Sequence, residues 1–357
     1  MSRVRPVRVP AAASGQRLDR WFKQHFPQLT HGRLEKMLRK GEVRVDGKRV
    51  KASARLEEGQ VVRVPPLPEG GAAASKAAPR QPAAVSAAEA EALRAAVLYR
   101  DDGVIALNKP AGLAVQGGSG QRRHLDGMLE ALRFGSGERP RLVHRLDKDT
   151  AGVLLLARNA LMARALTAAF RDKGTEKIYW ALVAGAPPER RGVIDLPLAK
   201  QAKGSGRETV GAAKQGKSAR TLFQLVESWR DKKSGDVLSW LVLLPLTGRT
   251  HQLRVHCAAM GTPIVGDGKY GGKAAFPASL ERAGEPARIL HLLARELALP
   301  DPEDGTTLRF TAPLPPHMAA SWQKLGLVEA KGEGALQALL GYAEGLSHSP
   351  MKGLNPL

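Results

Sequence analysis

Apolar residues fall into two kinds of pattern along this chain. Leu18, Trp21, Phe22 and Phe26 recur at helical spacing and draw one apolar stripe. The Phe26-Pro27 step ends that stripe, because proline bars the residue before it from the helical region. Thr30 is placed to cap a second helix over 31–40, with Leu34, Met37 and Leu38 turned inward. The period then changes to two. Val43 and Val45 alternate with Glu42 and Arg44, Asp46-Gly47 is a tight-turn pair, and Gln60–Val64 reads as a last strand before Pro65-Pro66. Residues 14–66 are therefore expected to form a small unit of two helices and a small sheet, behind a basic extension at 1–13.

Residues 67–87 have no apolar period and are rich in Pro, Gly, Ala and Ser, the composition of a flexible linker. The pattern resumes over 88–320. Val97–Tyr99 and Val104–Leu107 flank Asp101-Asp102-Gly103, as in a hairpin. Helical periods cover 124–134 and 159–172, and strand patterns cover 152–157, 176–184, 219–227, 238–245, 288–297 and 307–311. Hairpins outnumber strand–helix–strand repeats, so the expected class is α+β with a mixed, mostly antiparallel sheet. The stretch 201–218 reads as a mobile basic loop, and the tail 321–357 offers one helix, Ala335–Glu344, before a disordered end.

Charge sharpens this picture. The chain has 357 residues with 55 Lys and Arg against 34 Asp and Glu, a net +21 that is spread along the sequence. Such an excess suits a polyanionic partner, because phosphate contacts release counterions. Arg33, Lys36, Arg39 and Lys40 on the second helix and Arg44, Lys48 and Arg49 on the following hairpin make the first unit a candidate RNA-binding surface. Cys257 is the sole cysteine, so no intrachain disulfide is possible and a reducing compartment fits. The start lacks the apolar core of a secretory signal, and no apolar run is long enough to span a bilayer. A cytoplasmic protein without membrane association is expected, and a monomer by default.

Three stretches carry chemistry. HRLDKDTAG, 144–152, puts His144, Arg145, Asp147, Lys148 and Asp149 directly ahead of the apolar run VLLLA. A carboxylate among bases at a strand mouth suits a nucleophile or general base, and it equally suits a structural ion-pair cluster. TGRTHQLRVH, 247–256, follows another apolar strand, and its Arg249, His251, Arg254 and His256 are able to surround a carboxylate or bind phosphate. A metal site of His251, His256, Cys257 and His291 is the rival, but its spacing fits no standard zinc pattern and the basic setting disfavours a dication. In EKIYWALVAG, 176–185, strand alternation sets Tyr179 opposite Trp180, where it serves either as a base-stacking platform or as an ordinary core tyrosine. There is no P-loop, no dinucleotide fingerprint and no kinase D-F-G, so no nucleotide cofactor is expected.

Taken in order, ALNKPAGLAVQGG, RLVHRLDKDTAGVLLLAR, EKIYWALVAG, LPLTGRTHQLRVHCAAMGTPIVGDGKYGG and ILHLLARELALPDP with FTAPLP resemble the RluA-type pseudouridine synthases over about 96–318. RLDRWF, LRKGEVRVDGKRVK and LEEGQVVRVP resemble the S4-like RNA-binding domain. Ala151 departs from the serine that the family often carries there. The resemblance implies a pseudouridine synthase core behind a small S4-like domain, acting without metal or cofactor on large-subunit (23S) rRNA or its assembly intermediate. It implies Asp147 as the catalytic aspartate, acting either by attack on the anomeric carbon or by proton removal from the neighbouring ribose carbon. Arg145 becomes the base-flipping arginine, Tyr179 the active-site tyrosine under the uracil and an aid in removing the proton from carbon five, and Arg254 the arginine paired with the aspartate. Arg249 and the loop 201–218 would add backbone contacts. The alternatives are the same reaction on tRNA, a non-catalytic ribosome-assembly factor, or a methyltransferase, for which no glycine-rich cofactor loop is found.

Overall fold

The computed structural model describes residues 4–67, 85–117, 123–172, 174–202, 208–281 and 288–346. The chain divides into two compact units, 1–80 and 81–357.

In the first unit, helices α1 (Leu18–His25) and α2 (His31–Lys40) pack on a three-stranded antiparallel sheet of β1 (Arg5–Arg8), β2 (Arg44–Val45) and β3 (Val61–Val64), in the order β1-β3-β2. Leu18, Trp21 and Phe22 from α1, Leu34, Met37 and Leu38 from α2, and Val43, Val45, Val62 and Val64 form its core. The Thr30 hydroxyl accepts the Arg33 N–H at 3.4 Å, and Gly41 closes α2 in the left-handed region. Asp46 and Gly47 both have positive φ, as a two-residue hairpin turn requires. Beyond that turn, however, the expected second arm keeps only the Val45–Lys48 bridge, and β2 pairs with β3 instead.

The first unit begins earlier than the apolar pattern places it. Residues 5–13 are no extension: β1 covers the free edge of β3, and Val9 and Ala13 are buried. Pro6 has no N–H to donate, which an edge strand tolerates. Residues 68–84 of the expected linker lie outside the described residues.

The second unit is built on a ten-stranded sheet. Its strands are β4 (Val97–Arg100), β5 (Val104–Lys109), β6 (Arg141–Leu142), β7 (Ala151–Ala157), β8 (Glu176–Ala184), β9 (Arg191–Asp195), β12 (Arg220–Arg230), β13 (Val237–Pro245), β14 (Leu292–Pro300) and β15 (Thr307–Thr311). A separate two-stranded hairpin consists of β10 (Leu198–Ala202) and β11 (Glu208–Ala212). The order in the large sheet is β4-β5-β7-β14-β8-β13-β12-β9, with β15 on β14 and β6 on β7. Every pairing is antiparallel except β7 with β14, so the mixed, mostly antiparallel α+β expectation holds. At that parallel joint Gly152 has φ +108°, and a Cβ there would lie 2.2 Å from the Ala294 carbonyl oxygen. Only glycine lets the two strands meet.

Strand alternation divides the core in two. Trp180, Leu182, Trp240 and Val242 face helices α5 (Ala160–Arg171), α8 (Pro316–Leu325) and α9 (Glu329–Leu346). Tyr179, Ala181, Val183, Leu241 and Leu243 face the side that holds α6 (Gln252–Ala259). On that second side, Ile105, Leu107, Leu154 and Leu156 pack with α3 (Ala87–Ala95) and α4 (Leu125–Met128). A short α7 (Ala278–Glu281) precedes β14.

The stretch 201–218 is not simply a loop, since it holds the end of β10 and all of β11, which pair antiparallel; residues 203–207 lie outside the described residues. The expected strand 288–297 starts later, at Leu292, because the His291 N–H is spent on the Val265 carbonyl. The tail supplies a helix longer than expected, α9, docked on the sheet through Leu336 and Leu339. Residues 347–357 lie outside the described residues.

Candidate active site

The charged run ahead of β7 resolves into an alternation. His144 and Leu146 turn inward, while Arg145 and Asp147 turn outward. The His144 Nε2 accepts the Leu155 N–H at 2.8 Å, and its ring stacks on Phe170 with centroids 4.2 Å apart. Desolvation, helped by Lys177, pushes its pKa down to about 3, so His144 is a neutral structural residue. From below, the loop is held by Lys109. This lysine is fully enclosed, and its Nζ donates to the carbonyls of Pro110 (2.7 Å), Leu113 (2.9 Å) and Lys148 (2.9 Å). Burial lowers its pKa to about 8, against the opposing pull of Asp149 and Asp147. The Lys148 carbonyl also accepts the Gly112 N–H at 3.0 Å, so the residue after Asp147 is fixed from two sides.

The second limb runs from the end of β13 into α6. Gln252, 4% exposed, pins it. Its Oε1 accepts from the Thr247 hydroxyl (2.7 Å) and the Arg249 N–H (3.1 Å), and its Nε2 donates to the Arg220 carbonyl and Thr221 Oγ1. His251 caps the helix with left-handed backbone, φ +54°. Its Nε2 lies 3.9 Å from Asp147 Oδ1.

The two limbs and β8 enclose one cleft of about 890 Å³, whose lining includes Arg145, Asp147, Lys177, Tyr179, Arg249, His251 and Arg254. Asp147 is about a quarter exposed, at the mouth. Tyr179 stands opposite Trp180, as the strand alternation predicts. Its hydroxyl is raised well above the ordinary tyrosine value by desolvation and by the charge of Asp147. The phenolate is therefore disfavoured, and Tyr179 presents a neutral ring and hydroxyl to the cleft. Arg145 is exposed and has no ion pair among the described residues.

Arg254 differs from what the resemblance implies. Its fork closes on Asp267, Nε to Oδ2 at 2.7 Å and Nη2 to Oδ1 at 2.6 Å, with both side chains buried. Asp147 acts on it only as a nearby charge. Burial works against the Arg254 charge, but the Asp267 bonds together with the charges of Asp267 and Asp147 outweigh it and raise the pKa. Asp267 wins because a buried, bidentate carboxylate leaves neither partner uncompensated.

The other residues singled out in the sequence go elsewhere. His256 bonds Thr221 Oγ1 (2.9 Å) and faces the Leu196 carbonyl; it is structural and neutral, its pKa lowered by burial to about 4. Cys257 is enclosed, and His291 meets Ser321 and the Ile289 carbonyl. Among the described residues no cluster of three His, Cys, Asp or Glu is placed to hold a metal ion. Arg249 lines the cleft and donates Nε to the Ser218 carbonyl. Arg33, Lys36, Arg39, Lys40, Lys48 and Arg49 are exposed on the first unit, and Lys40 lies 3.7 Å from Glu42. Arg44 is partly committed, its guanidinium donating to the Gly41 and Gly47 carbonyls. Sequence reasoning missed Lys109, Gln252 and Asp267, which hold the backbone and side chains of the cleft residues in place.

A mostly antiparallel sheet that carries a carboxylate, a half-buried tyrosine and a clamped arginine in a cleft lined with cations fits the RNA-modifying enzyme that the sequence resembles. Comparison with known proteins agrees: residues 103–259 match the RNA pseudouridylate synthase model and 16–62 the S4 domain. The chain belongs to the RluA-type family of RNA pseudouridine synthases. It is 37% identical over 327 residues to the ribosomal large subunit pseudouridine synthase C of Escherichia coli K12, covering 90% of this chain and 97% of that protein. The Haemophilus influenzae protein of the same name is 37% identical over 328 residues, covering 91% and 96%. The solved structure of human RNA pseudouridylate synthase domain containing 4 superposes with a TM-score of 0.54 at 30% identity, covering 66% of this chain and 95% of that one. No described helix is long and apolar enough to cross a membrane.

Proposed function

We propose that this chain isomerises specific uridines to pseudouridine in large-subunit (23S) ribosomal RNA, with Asp147 as the catalytic carboxylate. The observation that carries the reading is the convergence of Asp147, Tyr179, Arg145 and Arg254 on one basic cleft. The rRNA substrate rests on the two bacterial relatives, which bear that activity in their names.

The reaction breaks the bond between ribose C1′ and uracil N1, turns the base, and joins C5 to C1′. A proton leaves C5 and one is gained at N1, so the atoms balance without water or cofactor. Positive charge develops on the ribose, and Asp147 meets it at the mouth of the cleft. The neutral Tyr179 ring floors the base and holds it between the two bonds. Arg254, kept cationic by Asp267, holds a positive charge beside the carboxylate. Arg145, exposed and without an ion pair among the described residues, takes the gap left by the flipped nucleotide. The exposed cations of the first unit and Arg249 hold RNA phosphates.

Purified protein is incubated with transcripts of large-subunit rRNA and of tRNA, and the products are mapped for pseudouridine. We expect conversion at discrete rRNA uridines. Asp147→Asn should lose turnover by at least about 1,000-fold and still bind RNA, because one carboxylate does chemistry while many cations bind. Turnover retained in Asp147→Asn, or conversion of tRNA alone, contradicts the reading.

A further inference from the structure

We propose that His251 and Tyr270 are a positioning pair that presents an N–H to the carboxylate of Asp147 and so sets which of its oxygens faces the ribose. The proposal rests on Asp147 being the catalytic group.

The geometry runs outward from the carboxylate. His251 Nε2 faces Asp147 Oδ1 at 3.9 Å, and its Nδ1 lies 2.5 Å from the Tyr270 hydroxyl oxygen. The Tyr270 hydroxyl has one proton to give, and the acceptor at hand is Nδ1. An imidazole that accepts at Nδ1 carries its own proton on Nε2, the nitrogen turned toward Asp147. The Tyr270–His251 contact thus selects the tautomer that has an N–H for the carboxylate. At 3.9 Å the contact is open, and catalytic hydrogen bonds often tighten only when substrate is bound.

Two features show that this arrangement is held rather than incidental. His251 is one of three non-glycine residues with positive φ among the described residues, a backbone state that costs such a residue about 1 kcal/mol or more. Tyr270 is itself fixed. Its N–H meets Asp267 Oδ1 at 3.3 Å, its ring lies 5.1 Å from the Arg254 guanidinium, and it packs with Leu198, Val210 and Val255. The groups facing the imidazole are Asp147 from the loop before β7, Arg254 from α6, and Asp267, Lys269 and Tyr270 from the segment after α6. Desolvation and the cations outweigh the carboxylates and lower the His251 pKa, so the neutral ring prevails at neutral pH.

The test uses the full chain with a large-subunit rRNA transcript. Tyr270→Phe should lower kcat by about 10- to 100-fold, with KM and RNA affinity within about twofold. The side chain of His251→Gln ends in an N–H₂ near the place of Nε2, whereas His251→Asn stops a methylene short yet suits left-handed backbone better. The Gln variant should therefore keep more turnover than the Asn variant, the reverse of the order set by backbone preference alone. Nitrogen-15 NMR of histidine-labelled protein, with the His251→Gln spectrum to assign the signal, should find Nε2 protonated and Nδ1 bare in the wild type. In Tyr270→Phe it should find a mixture of tautomers. An unchanged kcat in Tyr270→Phe, a better Asn than Gln variant, or a proton on Nδ1 in the wild type overturns the pair. Should the wild type make no pseudouridine at all, the proposed function fails instead, and the NMR tautomer still decides the pair.

Discussion

Asp147 is reached by a backbone whose support lies one layer down. The Lys109 amine spends its hydrogen bonds on three carbonyls, and one of them belongs to Lys148, next to Asp147. Lys109→Met should leave those carbonyls without a donor and cost about 2–4 kcal/mol, read as a fall in melting temperature together with a loss of kcat. Asp267→Asn should cost about 3 kcal/mol or more, because it leaves the Arg254 guanidinium buried and short of its counter-charge. A variant as stable as wild type would show that the clamp is not what holds Arg254. The residues that touch the cleft were legible because charge beside an apolar strand is conspicuous: Arg145, Asp147 and Arg254 all lie in such runs. Their supports were not. Lys109 and Asp267 sit in short segments where nothing local marks one charged residue as buried, and only the fold brings Asp267 to Arg254. It was the family resemblance, and no local pattern, that pointed to Asp147 as the partner of Arg254, where the structure has Asp267.

At the scale of elements, the long apolar strands were legible by their period, and β7, β8, β13 and β15 lie within a residue or two of where it puts them. The strands β9, β10 and β11 were not, because short segments at a sheet edge or in a hairpin carry too few inward positions to show alternation. Helix α6 was also hidden. Gln252 to Cys257 are all buried, so no polar face marks the helical period. Helix α9 shows how contact decides the effect of like residues. A Cβ on Gly332 would lie 2.4 Å from Trp240 and 2.7 Å from Trp180, whereas one on Gly334 would meet open space. Gly332→Ala should destabilise by about 1–3 kcal/mol, and Gly334→Ala should stabilise by about 0.5–1 kcal/mol. Thermal denaturation of the two variants separates them, and equal melting temperatures would show that α9 does not dock on the indoles.

Over the whole molecule, charge and titration make further claims. The net charge of +21 and the exposed cations of the first unit predict that deleting residues 1–80 weakens RNA binding and flattens its salt dependence. An unchanged salt slope would show that this unit holds no phosphates. Burial lowers the pKa of His144 and His291 to about 3 and of His256 to about 4. Below about pH 6.5 the unfolded chain takes up protons that the fold refuses, so stability falls as pH drops. Each of the three should cost up to about 2 kcal/mol by about pH 5. A melting temperature that stays level from about pH 7 to about pH 5 contradicts this.

The central claim, that Asp147 makes pseudouridine in large-subunit rRNA, is tested most directly in cells. The measurement is a pseudouridine map of large-subunit rRNA from a strain lacking this protein, repeated after complementation with wild type and with Asp147→Asn. Discrete sites should vanish from the map and return with the wild type only. A map that is unchanged by the deletion, or sites that Asp147→Asn restores, would contradict it.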